Sequence, residues 1–242
     1  IQNPTAESPR EIMMQQENNR LRQVIGQMRE EMESMKDLAD AKQRLSTMLS
    51  NEERMGLVNA MLRDVLAALN ATAHIEHVSI IAQDQSYLDF GVDVIEEANN
   101  TGYNEAVTFA LTRPALADFD SLLVLPGDVP LTSPGEIDAL AAPTTEPTVR
   151  LAAARDGGGP NGLMIAPPRL LDTAFGIGSF ERHTSIAKAS GAKVDIVTGF
   201  GISFDIDTPD DLIAFCAVDG TSETHTFLDL SGIRGRLLAE NV

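Results

Sequence analysis

The sequence predicts an α/β fold in which a mostly parallel β-sheet is flanked by helices and preceded by a coiled-coil helix. Three observations support this prediction. From residue 36 onward, strand-like and helix-like segments alternate, an order that implies parallel pairing through crossover helices. One apolar strand candidate ends in a turn that carries a carboxylate, as in sheets that bind ligands at their carboxyl edge. Residues 1–35 follow a heptad pattern instead.

The heptad pattern predicts that residues 1–35 form a separate coiled-coil helix. Its core positions alternate in spacings of four and three residues, at Met14, Asn18, Leu21, Ile25, Met28, Met32 and Met35. A buried Asn in such a seam commonly fixes the register of pairing. The alternative is an amphipathic helix packed on its own domain, which has a wider apolar stripe. A coiled coil here predicts a homodimer.

Residues 36–242 form the predicted α/β domain. Strands are expected over 77–82, 92–95, 121–125, 148–153, 162–166 and 194–197. Helix starts are marked by capping sequences at Ser50, Ser133 and Thr208, with Pro at the first helical position after the last two. Two further helices are expected over 104–112 and 181–190, and a helical extension over 222–240.

Composition and charge argue against several classes of partner. The net charge of −18 argues against nucleic acid, because phosphate binding requires clustered Lys and Arg. No apolar stretch approaches 18 residues, so no membrane span is predicted. No secretory leader is visible, and the single cysteine, Cys216, lies in an apolar helical patch and is expected to be a buried structural thiol. These features predict a cytoplasmic protein.

Two acidic segments are the strongest candidates for a site. An apolar strand runs into the Pro-Gly-Asp turn that carries Asp128, although such an Asp can also merely cap a turn. Downstream, Asp205 and Asp207 are separated by one residue on an extended segment, so both point to the same side and suit a divalent metal. Asp207 could instead assist the helix that starts at Thr208, whereas Asp205 has no such local role.

Two glycine-containing loops are weaker candidates. The first joins two strand candidates through Gly157, Gly158 and Gly159, and it would let a ligand approach the backbone closely. A long hairpin turn would have a similar composition. In the second, Gly176 precedes Ser179, which is predicted to cap the next helix and to form a phosphate or carboxylate pocket at its amino terminus. Arg182 and His183, in the first turn of that helix, are expected on the surface.

Two polar segments complete the candidate set. The loop over 99–104 is rich in Asn, whose amide can read a purine edge or serve as an ordinary turn residue. Lys36, Lys42 and Arg44 are the basic cluster near the start of the α/β domain. On a generic helix these side chains are solvated, whereas near a nucleotide they would neutralise triphosphate charge.

Taken in order along the chain, six segments from Lys36 to the carboxyl terminus resemble the 2-phospho-L-lactate guanylyltransferase family, the nucleotidyltransferases of coenzyme F420 biosynthesis. Each segment alone would be a weak signal, but the ordered set is specific. The segments are Lys36-x-Leu-Ala-x-Ala-Lys42-x-Arg44-Leu, Asn100-Thr101-Gly102-x-Asn104-Glu105-Ala106, Pro126-Gly-Asp128-Val-Pro-Leu131, Asp156-Gly-Gly-Gly-x-Asn161, Phe175-Gly-x-Gly-Ser-Phe180-x-Arg-His183 and Asp205-Ile-Asp207-Thr-Pro-x-Asp-Leu212.

The resemblance implies a nucleotidyltransferase fold related to that of glycosyltransferases of the A type. Family members couple GTP to a small phosphorylated carboxylic acid, namely 2-phospholactate, phosphoenolpyruvate or 3-phosphoglycerate, and release pyrophosphate. The resemblance further implies Mg²⁺ as the cofactor, held by Asp128, Asp205 and Asp207. Lys36 is implied to act with Asp128 in catalysis.

The resemblance also implies a set of substrate contacts. Lys42 and Arg44 would lie on the phosphates, and Gly176 and Ser179 would bind the acid groups of the acceptor. Two loops would supply the other contacts, which are Asn100, Thr101, Gly102 and Asn104 in one and Gly158, Gly159, Pro160 and Asn161 in the other.

The chain departs from the family pattern at two places. Pro160 stands where the family usually has Thr, and proline offers neither a hydroxyl nor a backbone N–H. Family members also begin with an apolar strand that ends in Pro-Val-Lys, whereas the heptad segment precedes Lys36 here. A sheet that lacks an inner strand would expose unpaired backbone edges. The rival hypothesis is therefore a coiled-coil scaffold protein with an impaired nucleotidyltransferase remnant.

Overall fold

The computed structural model describes most of the predicted α/β domain. The described residues are 42–82, 89–97, 102–113, 119–157, 159–176 and 178–240. The predicted coiled-coil helix over 1–35 lies outside these ranges, as do the position of the missing family strand and the predicted site residues Lys36, Asn100, Thr101 and Gly158.

The described chain contains both strands and helices, with a helix between β2 and β3, between β3 and β4 and between β5 and β6. The strands are β1 (Ser79–Ala82), β2 (Asp93–Glu96), β3 (Leu122–Val124), β4 (Thr148–Ala153), β5 (Pro160–Ala166) and β6 (Lys193–Val197). The helices are α1 (Asn51–Asn70), α2 (Tyr103–Leu111), α3 (Pro134–Ala141), α4 (Ser179–Ala189), α5 (Pro209–Cys216), α6 (Glu223–Leu230) and α7 (Ile233–Glu240). A short 3₁₀ turn over Gln43–Leu45 precedes α1.

The capping sequences account for three of the helix starts. Ser50, Ser133 and Thr208 each accept a bond from the third helical N–H, while the acidic side chain at that third position bonds back to the cap. Each reciprocal pair satisfies two backbone donors that a helix start leaves open. The predicted capping boxes are therefore confirmed.

The strands form two separate sheets among the described residues. β1 and β2 pair in parallel, and the second sheet has the order β3-β5-β4-β6. β4 and β6 are parallel, but β5 is antiparallel to both of its neighbours. The expectation of parallel pairing is wrong for β5, because a short glycine-rich turn rather than a crossover helix joins it to β4. As a result, β3, β4 and β6 run in one direction and end at one edge of the sheet.

The core is built from two main apolar clusters. One lies where α1 packs with α5, α6 and α7, and it includes Leu57, Met61 and Phe215. Cys216 belongs to this cluster and is fully buried, as predicted. The other lies where α4 covers the inner strands of the larger sheet. None of the helices in the part of the chain that the structure describes is long and apolar enough to span a bilayer.

Candidate functional site

The two predicted acidic segments meet at the edge where β3, β4 and β6 end. Asp128 follows β3, and Asp205 and Asp207 lie between β6 and α5. The backbone N–H of Ile206 donates a hydrogen bond of 3.1 Å to the carbonyl of Asp128. This bond holds the two acidic segments side by side.

Lys42 links two of these carboxylates. Its Nζ lies 2.5 Å from Oδ2 of Asp128 and also contacts Oδ1 of Asp207. The Lys42 side chain is only 10 % exposed. Burial alone would lower the pKa of Lys42, but the negative charges of Asp128 and Asp207 outweigh it and hold this pKa above its ordinary value. Lys42 is therefore a charged ammonium bound between two carboxylates.

Asp205 is half-buried and is oriented by Asn161. The Asn161 Nδ2 donates a bond of 3.2 Å to Oδ1 of Asp205, and Asn161 itself is buried. Burial raises the pKa of Asp205; the bond from Asn161 opposes this shift, and the nearby charges of Asp128 and Asp207 add to it. Asn161 therefore acts on the candidate site through Asp205.

The cap of α5 fixes the backbone of the second acidic segment. The carboxylate of Asp211 accepts bonds from the N–H groups of Thr208, at 2.9 Å, and Asp207, at 3.3 Å. Arg155 pairs with the same carboxylate, and its guanidinium lies 4.1 Å above the centre of the Phe204 ring. Because Arg155 begins the glycine-rich loop after β4, this pair ties that loop to the acidic segment.

The glycine-rich loop also lies against the start of α4. A Cβ placed on Gly159 would come within 2.7 Å of the Ser179 Oγ, so only glycine allows this close approach. Ser179 is 2 % exposed. The prediction that Ser179 caps α4 is wrong: the cap is Gly178, at φ 68°, and Ser179 is the first helical residue. The Ser179 hydroxyl therefore does not cap the helix.

His183 is buried, and the expectation of a surface position is wrong. Its Nε2 accepts a bond of 2.9 Å from the N–H of Ala174, so Nδ1 carries the proton and donates to the Ser179 carbonyl at 2.7 Å. Burial lowers the pKa of His183, the bond to Ser179 opposes this shift, and the charge of Arg182 supports it. The neutral imidazole thus fastens the loop before α4. Arg182 is exposed, as expected.

Asn104 holds the same loop from the other side. Its Oδ1 accepts a bond of 2.6 Å from the Phe175 N–H, and its Nδ2 donates to the Phe175 carbonyl at 3.1 Å. The ring of Phe175 packs edge-on against Tyr103 and His183. Sequence reasoning offered a substrate contact or an ordinary turn role for Asn104 and missed this bond pair, because no local pattern links residues 71 positions apart.

The basic residues border an open cavity beside the carboxylates. A cavity of about 250 Å³ is lined by Lys42, Gln43, Arg44 and Asp207. Arg44 is exposed there. Within the described ranges, no three His, Cys, Asp or Glu side chains are grouped so that they could hold a metal ion. Asp128 and Asp207 instead form ion pairs with the Lys42 ammonium.

Comparison with solved structures identifies the fold. The chain superimposes with a TM-score of 0.66 on a putative nucleotide-diphospho-sugar transferase from Desulfovibrio desulfuricans, at 14% sequence identity, over 81% of this chain and 91% of that one. This likeness confirms the predicted fold class. With the family match that follows, it defines the class of protein as a nucleotidyltransferase.

The chain belongs to the family described as "Guanylyl transferase CofC like", whose model matches residues 32–234. It is 34% identical over 178 residues to the phosphoenolpyruvate guanylyltransferase of Sphaerobacter thermophilus, covering 72% of this chain and 86% of that protein. It is also 34% identical over 176 residues to the 2-phospho-L-lactate guanylyltransferase of Methanothermobacter thermautotrophicus, covering 71% and 77%. The family predicted from six ordered segments is therefore confirmed.

Proposed function

We propose that this nucleotidyltransferase is a Mg²⁺-dependent guanylyltransferase of coenzyme F420 biosynthesis. It would couple GTP to 2-phospholactate, phosphoenolpyruvate or 3-phosphoglycerate and release pyrophosphate. The observation that carries the proposal is the meeting of Asp128, Asp207 and Lys42 at one sheet edge. The curated relatives carry guanylyltransferase names for two of these acids.

The chemistry places modest demands on the protein. A phosphate oxygen of the acceptor attacks the α-phosphorus of GTP, a new P–O bond forms, and the bond to the β-phosphate breaks as pyrophosphate leaves. The acceptor phosphate is already an anion, so no general base is required. The protein must hold the two reactants in line and screen their charges.

The basic residues would screen the donor phosphates. Lys42 and Arg44 line the cavity beside the carboxylates, where a triphosphate would find both cations. Lys36, which is not among the described residues, is proposed to act on the same phosphates. The guanidinium of Arg44 can bind two phosphate oxygens at once, whereas the Lys42 ammonium acts as a compact point charge.

Asp128, Asp205 and Asp207 are proposed to hold the metal. Carboxylate oxygens are the ligands that Mg²⁺ prefers, and two of these carboxylates already converge on one positive charge. Asp128 and Asp207 could therefore bind a divalent cation if the Lys42 ammonium moves aside, and Asp205 is proposed as a third ligand. When bound, the metal supplies charge neutralisation and alignment of phosphate oxygens.

The acceptor would bind between the glycine-rich loop and α4. The first N–H groups of α4 and the positive end of its dipole attract an acid group, and Ser179 and Gly159 lie in contact range there. Pro160 cannot donate to the acceptor, so Ser179 and Gly176 are proposed to carry this role. Gly102, Asn104 and Asn161 complete the proposed set, the last two by positioning neighbouring groups.

The proposal is tested by pyrophosphate release, with each of the four NTPs offered against each of the three acids in the presence of Mg²⁺. The expected result is release with GTP and at least one acid. An Asp128→Asn variant should lose turnover by orders of magnitude while retaining its thermal unfolding transition. No release with any pair, from a chain that unfolds cooperatively, would instead favour the rival hypothesis of an impaired remnant.

A further inference from the structure

The Lys42 ammonium occupies the place at which the proposed metal would bind to Asp128 and Asp207. It contacts both carboxylates together, and the Lys42 side chain is 10 % exposed. Two negative charges are thus compensated by one buried cation. A divalent ion that bound the same two carboxylates would lie against this ammonium, and the two cations would repel each other at that short distance.

The backbone at Lys42 shows that this contact is built into the fold. Lys42 has φ 58° and ψ 38° and is the single non-glycine residue at positive φ in the described part of the chain. Side chains rarely adopt this conformation, and where they do it often marks a functional site. The 3₁₀ turn that follows is anchored by Leu45, which is fully buried. The anchor keeps the Lys42 stem aimed at the carboxylates.

The ammonium also has a place to which it can move. The cavity of about 250 Å³ opens beside Lys42 and is lined by Arg44. A lysine head sits on a flexible four-carbon stem, so Nζ can swing while the backbone stays fixed. Triphosphate oxygens in that cavity would offer it new negative partners.

We propose that Lys42 is a resident counter-ion that keeps divalent metal off Asp128 and Asp207 until nucleotide phosphates draw its ammonium away. This inference rests on the proposed metal-dependent transfer. It makes metal binding depend on nucleotide, so the metal enters with GTP rather than before it. Lys42 then pairs with the Asp128 and Asp207 carboxylates in the free protein and with the nucleotide phosphates in the complex.

The decisive experiment measures Mn²⁺ affinity without nucleotide, from the electron paramagnetic resonance signal of free Mn²⁺. The variant Lys42→Met should bind Mn²⁺ at least tenfold more tightly than the parent chain. The matched control is Arg44→Met, which removes one positive charge from the same cavity, although no ion pair links Arg44 to Asp128 or Asp207 among the described residues. It should change the affinity by less than threefold.

Two results would overturn the inference. One is a Lys42→Met variant that binds Mn²⁺ no more tightly than the parent, and the other is an equal gain in both variants, which would reveal a general charge effect. If neither the parent with GTP nor Lys42→Met without it binds Mn²⁺, the proposed metal site itself fails. If the parent binds Mn²⁺ with GTP but Lys42→Met gains nothing, only the inference fails.

A second measurement needs no variant, in case Lys42→Met does not fold. Thermal unfolding of the parent chain is followed with Mg²⁺ alone, GTP alone and both together. The inference predicts no stabilisation by Mg²⁺ alone and a clear rise in Tm with both, since a ligand stabilises only through the native state that binds it. Equal stabilisation by Mg²⁺ alone and by Mg²⁺ with GTP would contradict it.

Discussion

The two sheets of this protein differ in how completely their strands are buried. Every residue of β5 is buried, as are the first five residues of β4. In contrast, all four residues of β1 are half-buried, and the two ends of β2 are exposed. The larger sheet also has two inner strands, whereas each strand of the smaller sheet has one partner among the described residues.

The difference in burial affects how each part of the candidate site is held in place. The buried strands β4 and β5 and the helix packed on them position the glycine-rich loop and Ser179, whereas Asp128 follows the half-buried edge strand β3. The loop predicted to contact the base follows β2 in the smaller sheet. We therefore expect the larger sheet, and with it the glycine-rich loop, to resist unfolding better than the smaller sheet.

The largest expected effect comes from truncating one core residue in each sheet. Leu163 in β5 is fully buried, so Leu163→Ala should cost about 2–5 kcal/mol of unfolding free energy. Ile80 in β1 is half-buried, and Ile80→Ala should cost less than about 2 kcal/mol. Denaturant unfolding of both variants measures this. Equal costs would remove the distinction between the sheets.

A strand graft should sharpen the comparison. β1 pairs only with β2, and β3 only with β5, within the described ranges, so each offers an open edge. Placing an apolar strand that ends in Pro-Val directly before Lys36 should stabilise the chain by at least about 1.5 kcal/mol, the value of burying one Val or Ile side chain. Thermal unfolding and hydrogen exchange at β1 are the measurements.

The control for the graft is an insert of equal length made of Gly and Ser. It should leave both the Tm and the exchange of β1 amides unchanged. If the apolar graft fails to slow exchange in β1, the open edge of β1 is not the binding place of such a strand. A larger GTP-induced rise in Tm with the graft would show that the strand also re-aims Lys36 at the phosphates.

The smallest expected effect is on the pH dependence of stability, and it concerns His183, which is buried in the helix that packs on the larger sheet. Its pKa is lowered in the folded protein, so the unfolded chain takes up its proton first as the pH falls through about 6.5. Stability should therefore fall as the pH drops below about 6.5 and be fully present above it. Denaturant unfolding from pH 8 to pH 5 measures the slope, which His183→Gln should reduce. An unchanged slope in the variant would contradict the assignment.

Much of the fold follows from local patterns in the sequence. The strand over 148–153 and the helix starts at Ser50, Ser133 and Thr208 agree with the prediction, because strand propensity and capping depend on a few neighbouring residues. The reversal of β5 was not predicted, since a glycine-rich turn can serve a hairpin or a ligand loop equally well. The strand direction depends on the strands with which β5 pairs, and one of them, β3, lies elsewhere in the chain.

The candidate site shows the same limit. The three carboxylates were predicted from strand ends and spacing, and in the structure Asp128 and Asp207 share the Lys42 ammonium while Asp205 bonds to Asn161. The roles of His183 and Asn104 in fastening the loop before α4 were not predicted, because each depends on a hydrogen bond from its side chain to a backbone group that no local sequence pattern specifies.

The most direct test of the central claim is GTP binding by the parent and Asp128→Asn, measured by calorimetry with and without Mg²⁺. If Asp128 holds the metal beside the phosphates, the variant should bind GTP at least tenfold more weakly with Mg²⁺. In EDTA it should bind GTP at least as tightly as the parent, because one negative charge near the phosphates is gone. An Asp128→Asn variant that binds GTP with Mg²⁺ as tightly as the parent would contradict the account.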